Sequence, residues 1–138
     1  MKTLSRNLYS FILSILVVLP LYAGEGAGQV KPVKIPVISV PVVQNDRIVT
    51  NVIMEFEILT NNNQQAGKVV EFMARIRDKI FKDMYAILGT LWLPGFEVTP
   101  EFVLGRVRRS IDELFPEDWV KDIKITRLIA PKMPSRRS

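Results

Sequence analysis

The chain has 138 residues, 48% of them hydrophobic and 24% charged, enough for one compact domain with a short leader and too few for two cores of ordinary size. It contains no cysteine and no histidine, which excludes disulfide staples, thiolate nucleophiles, imidazole bases and the usual zinc ligands. The formal charge of +5 comes from 19 bases and 14 acids dispersed along the chain, so it lacks the concentrated basic face that nucleic-acid binding needs.

Residues 1–23 read as a secretory signal. Lys2 and Arg6 make a basic start, Leu8–Leu19 is apolar and uncharged, and Pro20 interrupts it before the small residues Ala23, Gly24, Gly26 and Ala27, with cleavage expected after Ala23. Extended to Ala23, the apolar run is 16 residues, whereas a bilayer-spanning helix needs about 20. The alternative is a short membrane anchor. Both readings export the rest of the chain: to the periplasm after cleavage, or facing it from the inner membrane. Residues 24–32 form a Gly-containing spacer, residues 33–130 the folded domain, and residues 131–138, with Pro131 and Pro134, a disordered tail.

Lys31–Val43 places Pro32, Pro36 and Pro41 among valines and isoleucines. Proline cannot donate to a β-ladder, so an edge strand or a bent strand is expected, with a proline-rich docking ligand as the alternative. After a turn at Gln44–Asp46, Ile48, Thr50, Val52, Met54, Phe56 and Ile58 alternate with Arg47, Asn51, Glu55 and Glu57, the clearest strand signature in the chain. The even-numbered face should be buried. Glu55 and Glu57 then project from the other face about 7 Å apart, within the range of paired glycosidase carboxylates. A solvated strand face explains them more simply, with a small carboxylate hydrolase as the remote alternative.

Thr60–Gln65 supplies a turn and a helix N-cap. From Lys68 to Trp92 the residues Val69, Met73, Ile76, Ile80, Met84, Ile87 and Leu91 recur at steps of 3 and 4, predicting one amphipathic helix of about seven turns. Val70, Phe81 and Leu88 widen its apolar stripe, while Glu71, Arg75, Asp78, Lys79, Lys82 and Asp83 fall on the wet side. Pro94 and Gly95 then turn the chain between Trp92, Leu93 and Phe96. A loop this apolar is either a lid folded over the core or a contact surface for another subunit or a membrane interface.

Thr99, Pro100 and Glu101 are a strong helix start, and Val103, Val107, Ile111 and Leu114 carry the apolar face of the helix that follows. Arg106, Arg108 and Arg109 cluster on it, but Glu101, Asp112 and Glu113 lie within helical reach, so a mixed-charge wet face is expected rather than a grip for acidic partners. The last strand spans Trp119–Ile129, with Ile123, Ile125 and Ile129 expected on one side together with Lys121 and Arg127. The order β-β-α-α-β makes an α+β fold, a small antiparallel or mixed sheet packed on a layer of two helices. Ile53 and Leu59 on the second strand's outer face suggest partial cover there, which a homo-oligomer could supply.

The apolar and acidic strand run Ile53-Met54-Glu55-Phe56-Glu57-Ile58, the mid-helix segment Ile76-Arg77-Asp78-Lys79-Ile80, the capped acidic helix and the last strand Val120–Ile129 together resemble the periplasmic domain of the flagellar basal-body-associated FliL family over residues 33–130. The resemblance implies a fold related to stomatin-like scaffolds and a non-enzymatic role without cofactors, as a homo-oligomer around the stator units of the bacterial flagellar motor that supports motility. It puts Arg77 and Asp78 forward as partner contacts, beside the turn residues Trp92, Leu93 and Phe96. A stomatin-like envelope scaffold unrelated to flagella is the alternative. Intact-mass analysis of the protein from a periplasmic fraction tests the leader: a mature chain starting at Gly24 is expected, and retention of Met1 identifies an anchor.

Overall fold

The computed structural model describes residues 29–132, so the expected signal segment, most of the spacer and the end of the tail lie outside the described residues. The domain is α+β, with the elements β1 (Val33–Gln44), β2 (Arg47–Thr60), α1 (Asn63–Glu71), α2 (Met73–Leu91), α3 (Pro100–Asp112) and β3 (Val120–Ile129). The strands form one antiparallel sheet in the order β1-β2-β3, and the three helices cover one of its faces. β2 is thus the central strand and both of its neighbours are edges.

β1 and β2 form a hairpin closed by Gln44 and Arg47, whose loop residues Asn45 and Asp46 have φ of 49° and 59°. Two left-handed residues in succession make the turn whose twist matches that of paired strands, and Asn and Asp tolerate that conformation better than most side chains. In β2 the alternation holds from Val52 onward: Val52, Met54, Phe56, Ile58 and Thr60 are buried beneath the helices. It does not hold earlier. A register shift between Val42 and Val43 disturbs the pairing near the hairpin tip, and Ile48 is 65% exposed.

Both edge strands change face partway along. In β1 the buried residues are Val33 and Ile35, then Ile38, Val40 and Val42, because Pro36 and Val37 form a bulge between the Ile35–Phe56 and Ile38–Met54 pairs. This is the bent edge strand that its prolines predict. In β3, Ile125 pairs with Phe56 and Arg127 with Glu55, leaving Thr126 as the extra residue. Ile123, Ile125 and Leu128 therefore face the helices, whereas Arg127 and Ile129 face the back of the sheet. This corrects the expectation that Ile129 and Arg127 share a side with Ile123, since strict alternation cannot anticipate a bulge.

The expected single helix is two. Asn62 caps α1 by accepting a hydrogen bond from the Gln65 amide at 2.9 Å, so helix begins at Asn63, before Lys68. Phe72, with φ −91° and ψ 9°, then interrupts the helix between α1 and α2. Its ring meets Phe115 edge-on at 5.9 Å, and Phe115 stacks on Trp119 at 5.9 Å, so the joint is packed against the connection that leads into β3. The bend lets α1 bury Val69 on β1 and β2 while α2 buries Ile76, Ile80, Met84 and Leu88, chiefly against β1 and α3. Of the second apolar row only Leu88 is buried. Val70 is 57% exposed, and Phe81 lies at the surface stacked on Tyr85.

α3 starts as expected, with Thr99 Oγ1 accepting from the Phe102 amide at 3.2 Å and Pro100 in the first turn. Val103, Val107 and Ile111 complete the core, and α3 lies over β3 beside α2. Truncating Phe56, 1% exposed in the central strand, to alanine should cost about 3–5 kcal/mol of unfolding free energy, whereas Phe81→Ala should change it by less than about 1 kcal/mol. Urea denaturation of the two variants checks the difference.

Candidate functional site

The residues put forward as contacts occupy two separate places. Arg77 and Asp78 lie in the middle of α2 and Trp92 at its end, 15 positions on, or about 22 Å along a helix axis. Arg77 is on the flank of α2 nearest the sheet edge, where Nη2 donates to the carbonyl of Val37 at 3.1 Å. That carbonyl belongs to the β1 bulge, so the guanidinium ties α2 to the irregular part of the edge strand. Asp78 pairs with Lys82 at 2.8 Å, and both side chains are largely in solvent, an arrangement worth little to stability.

The Trp92–Phe96 turn is largely a lid. Trp92 is 4% exposed, and its carbonyl accepts a hydrogen bond from Gln44 Nε2 at the base of the hairpin turn. Leu93, Pro94, Gly95 and Phe96 make a β-turn closed by the Phe96 amide on the Leu93 carbonyl at 2.9 Å. Proline presets the first central position, and glycine supplies the φ of 90° at the second. Phe96 is half-buried, edge-on to Phe102 at 5.4 Å. Of the three apolar residues at this turn, Leu93 alone points outward, at 60% exposure.

Glu55 and Glu57 face the back of the sheet, which no other described element covers. Glu55 pairs with Arg127 at 3.4 Å, and Glu57 stands between Lys34 of β1 and Lys124 of β3 in the cross-strand register. Acid in the middle and base on either side is a favourable ladder for a solvated sheet face. A shallow recess of about 450 Å³ opens there between the two bulges, with Lys34, Val37, Glu55, Glu57 and Thr126 on its walls.

The most connected polar group lies between α2 and α3, where the sequence suggests only a wet helix face. Ser110, 1% exposed, places its hydroxyl 2.5 Å from Asp83 Oδ2 and 3.1 Å from the Arg106 carbonyl. Lys79 pairs with Asp83 at 3.1 Å and with Glu113 at 2.7 Å, bridging the two helices. A signal for this was available: Ser110 falls on the buried face of α3 beside Val103, Val107 and Ile111, and a hydroxyl there needs a partner on the facing helix. A groove of about 370 Å³ runs past the cluster, floored by Ala86 and Ile87 and flanked by Arg106 and Arg109.

Electrostatics identify the cluster as a fastener. Partial burial pushes the Asp83 carboxyl up, but the Ser110 hydroxyl, Lys79 and the charge of Arg109 outweigh it and hold the group below its ordinary value. Hydrogen bonds to Glu113 and Asp83 hold the Lys79 ammonium above its ordinary value. Near neutral pH the acid is therefore ionised and the amine protonated, so neither is poised to exchange a proton with Ser110. Among the described residues, no group of three or more acidic side chains is arranged to hold a metal ion, and no helix is long and apolar enough to cross a membrane.

No protein-family model matches the chain, and no curated protein matches it.

The cluster has a pH signature. A carboxyl whose folded value lies below its unfolded one contributes stability above about pH 4, and this is lost as pH falls through the lower folded value. A raised lysine contributes below about pH 10 and loses that contribution as pH rises through its folded value. Ser110→Ala removes one support of the ionised Asp83, so its destabilisation, read from urea midpoints, should be larger at pH 6 than at pH 2.5. An equal loss at both would make the serine a packing residue only.

Proposed function

We propose that the chain is an exported, non-enzymatic interaction module that assembles with copies of itself beside the bacterial flagellar motor and supports its stator units. The observation that carries the reading is the resemblance in two segments, Ile53–Ile58 and Ile76–Ile80, to the periplasmic FliL domain. Of their apolar members, Met54, Phe56, Ile58, Ile76 and Ile80 belong to the same buried core, whereas Ile53 lies on the other face of β2. The fold supports the reading in a second way. Among the described residues, a single helical layer leaves one face of the sheet and both of its edges available, and the polar cluster between the helices serves to hold them together.

In this role the leader directs export and is removed after Ala23, leaving the domain in the periplasm. Leu93 and Asp78, the latter in its solvent-exposed pair with Lys82, are the proposed contacts that remain accessible to a partner. Arg77 is committed to the β1 bulge, and Trp92 and Phe96 to the core. Deletion of the gene should shrink the swimming halo in soft agar while flagella are still assembled. Complementation with Leu93→Asp should restore it less fully than the wild-type gene does. Unchanged swimming after deletion would refute the flagellar role.

A further inference from the structure

Ile48, 65% exposed, and Leu93, 60% exposed, are the two most exposed of the large apolar side chains among the described residues, and they share one end of the sheet. Gln44 closes the hairpin opposite Arg47 and donates through Nε2 to the Trp92 carbonyl, so the tip of the β1–β2 hairpin and the turn after α2 stand side by side. Gly89 keeps the end of α2 close to the same strand: a Cβ there would come 3.9 Å from the Val43 carbonyl. Val43 is the cross-strand partner of Ile48, and Val49, also exposed, is the extra residue between the Val42–Thr50 and Val43–Ile48 pairs. Three apolar side chains are thus presented on two adjacent turns.

The chain also leaves the fold at this end. β3 runs toward the hairpin tip, from Val120 opposite Thr60 to Ile129 opposite Ile53. Three residues later Lys132 pairs at 3.1 Å with Glu97, the neighbour of Phe96. Residues 133–138 contain Arg136 and Arg137 and no acid. An extended chain covers at most about 3.6 Å per residue, so the backbone of both arginines stays within roughly 18 Å of Lys132. Since Lys132 neutralises Glu97, the two turns and the tail set Arg47, Arg136 and Arg137 against the single acid Asp46.

Apolar side chains on projecting turns with an excess of cations beside them suit a bilayer that carries anionic headgroups: the apolar groups enter the acyl boundary and the cations stay among the phosphates. A protein partner would have to supply a separate hollow for each turn, whereas a fluid bilayer yields to both. We propose that the hairpin tip and the Trp92–Phe96 turn dock the exported domain on an anionic membrane surface, with Ile48, Val49 and Leu93 inserted and Arg47, Arg136 and Arg137 paired with lipid phosphates. Val33, where the chain enters β1, lies about 36 Å away along the strand, so this contact is at the opposite end from the leader. It rests on export of the chain but on neither self-association nor the motor, so vesicle binding and swimming can fail separately.

Co-sedimentation of the chain, purified after export, with vesicles of phosphatidylethanolamine and phosphatidylglycerol should show binding that weakens as salt is raised. Phosphatidylcholine vesicles should bind it at least about tenfold more weakly. Ile48→Asp and Leu93→Asp should each reduce binding to the anionic vesicles about tenfold or more, and the double variant R136Q/R137Q should reduce it several-fold. Val70→Asp, at a 57% exposed site on α1 beyond the far end of β2, should leave it unchanged. Because the chain has no cysteine, a polarity-sensitive dye on Leu93→Cys should brighten and shift to the blue on anionic vesicles, and the same dye on Val70→Cys should not. A chain that does not bind anionic vesicles overturns the proposal, as does binding that the Ile48 and Leu93 changes leave intact or that phosphatidylcholine matches. If the chain ignores lipid and these turns cross-link to a protein instead, the surface is a protein contact and the membrane reading falls.

Discussion

The structure depends on one contact: the face of α2 formed by Ile76, Ile80, Met84 and Leu88 pressed on the helix-facing side of the β1–β2 hairpin. All four residues are at most 1% exposed, as are Val40, Val42, Val52 and Met54 beneath the layer. Burying a side chain of this size contributes roughly 1.5–3 kcal/mol, and a three-stranded sheet has only one such face to offer. The other elements serve this contact. α1 closes the end of the hairpin, α3 continues the layer over β3, and the Trp92 turn caps the far end through its bond from Gln44.

The lateral fit of the helical layer is secured by polar groups rather than by more apolar area. On one flank of α2, Lys79 and Asp83 reach Ser110 and Glu113 across the seam with α3; on the other, Arg77 reaches the Val37 carbonyl. Hydrogen bonds have narrow angular requirements and apolar contacts do not, so these links set where along the sheet the helices lie. They also explain why the helical surface that looked most chemical, with its charges and serine, is the part already satisfied internally.

Much of the architecture was legible in the sequence because it follows from periodicity and caps. The alternation of Val52–Ile58, the heptad-like spacing of Ile76–Leu91 and the Thr99-Pro100-Glu101 start each describe a local event, and each is found in place. Apart from the bend that its prolines announce in β1, the breaks in pattern were not legible. The Phe72 bend and the Thr126 bulge arise from contacts with residues distant in the chain, Phe115 in one case and the β2 ladder in the other. No local signal marks them. The candidate contacts divided in the same way: Leu93 stayed outside as an apolar turn residue can, whereas the burial of Trp92 and the capture of Arg77 depend on partners 48 and 40 positions away.

The strand order also has a kinetic consequence. β1 and β2 are joined by a two-residue turn and can pair within microseconds, whereas β3 must return across residues 61–119 to reach β2. Until it does, β2 has one unpaired edge, and β2 contains no proline to blunt it. Glu55 and Glu57 sit on that strand, and two negative charges in an otherwise apolar run discourage it from pairing with the same strand of another nascent chain. Lys34 already faces Glu57 in the hairpin, so Glu55 is the charge left unmatched on the waiting strand, and Arg127 comes opposite it once β3 completes the sheet.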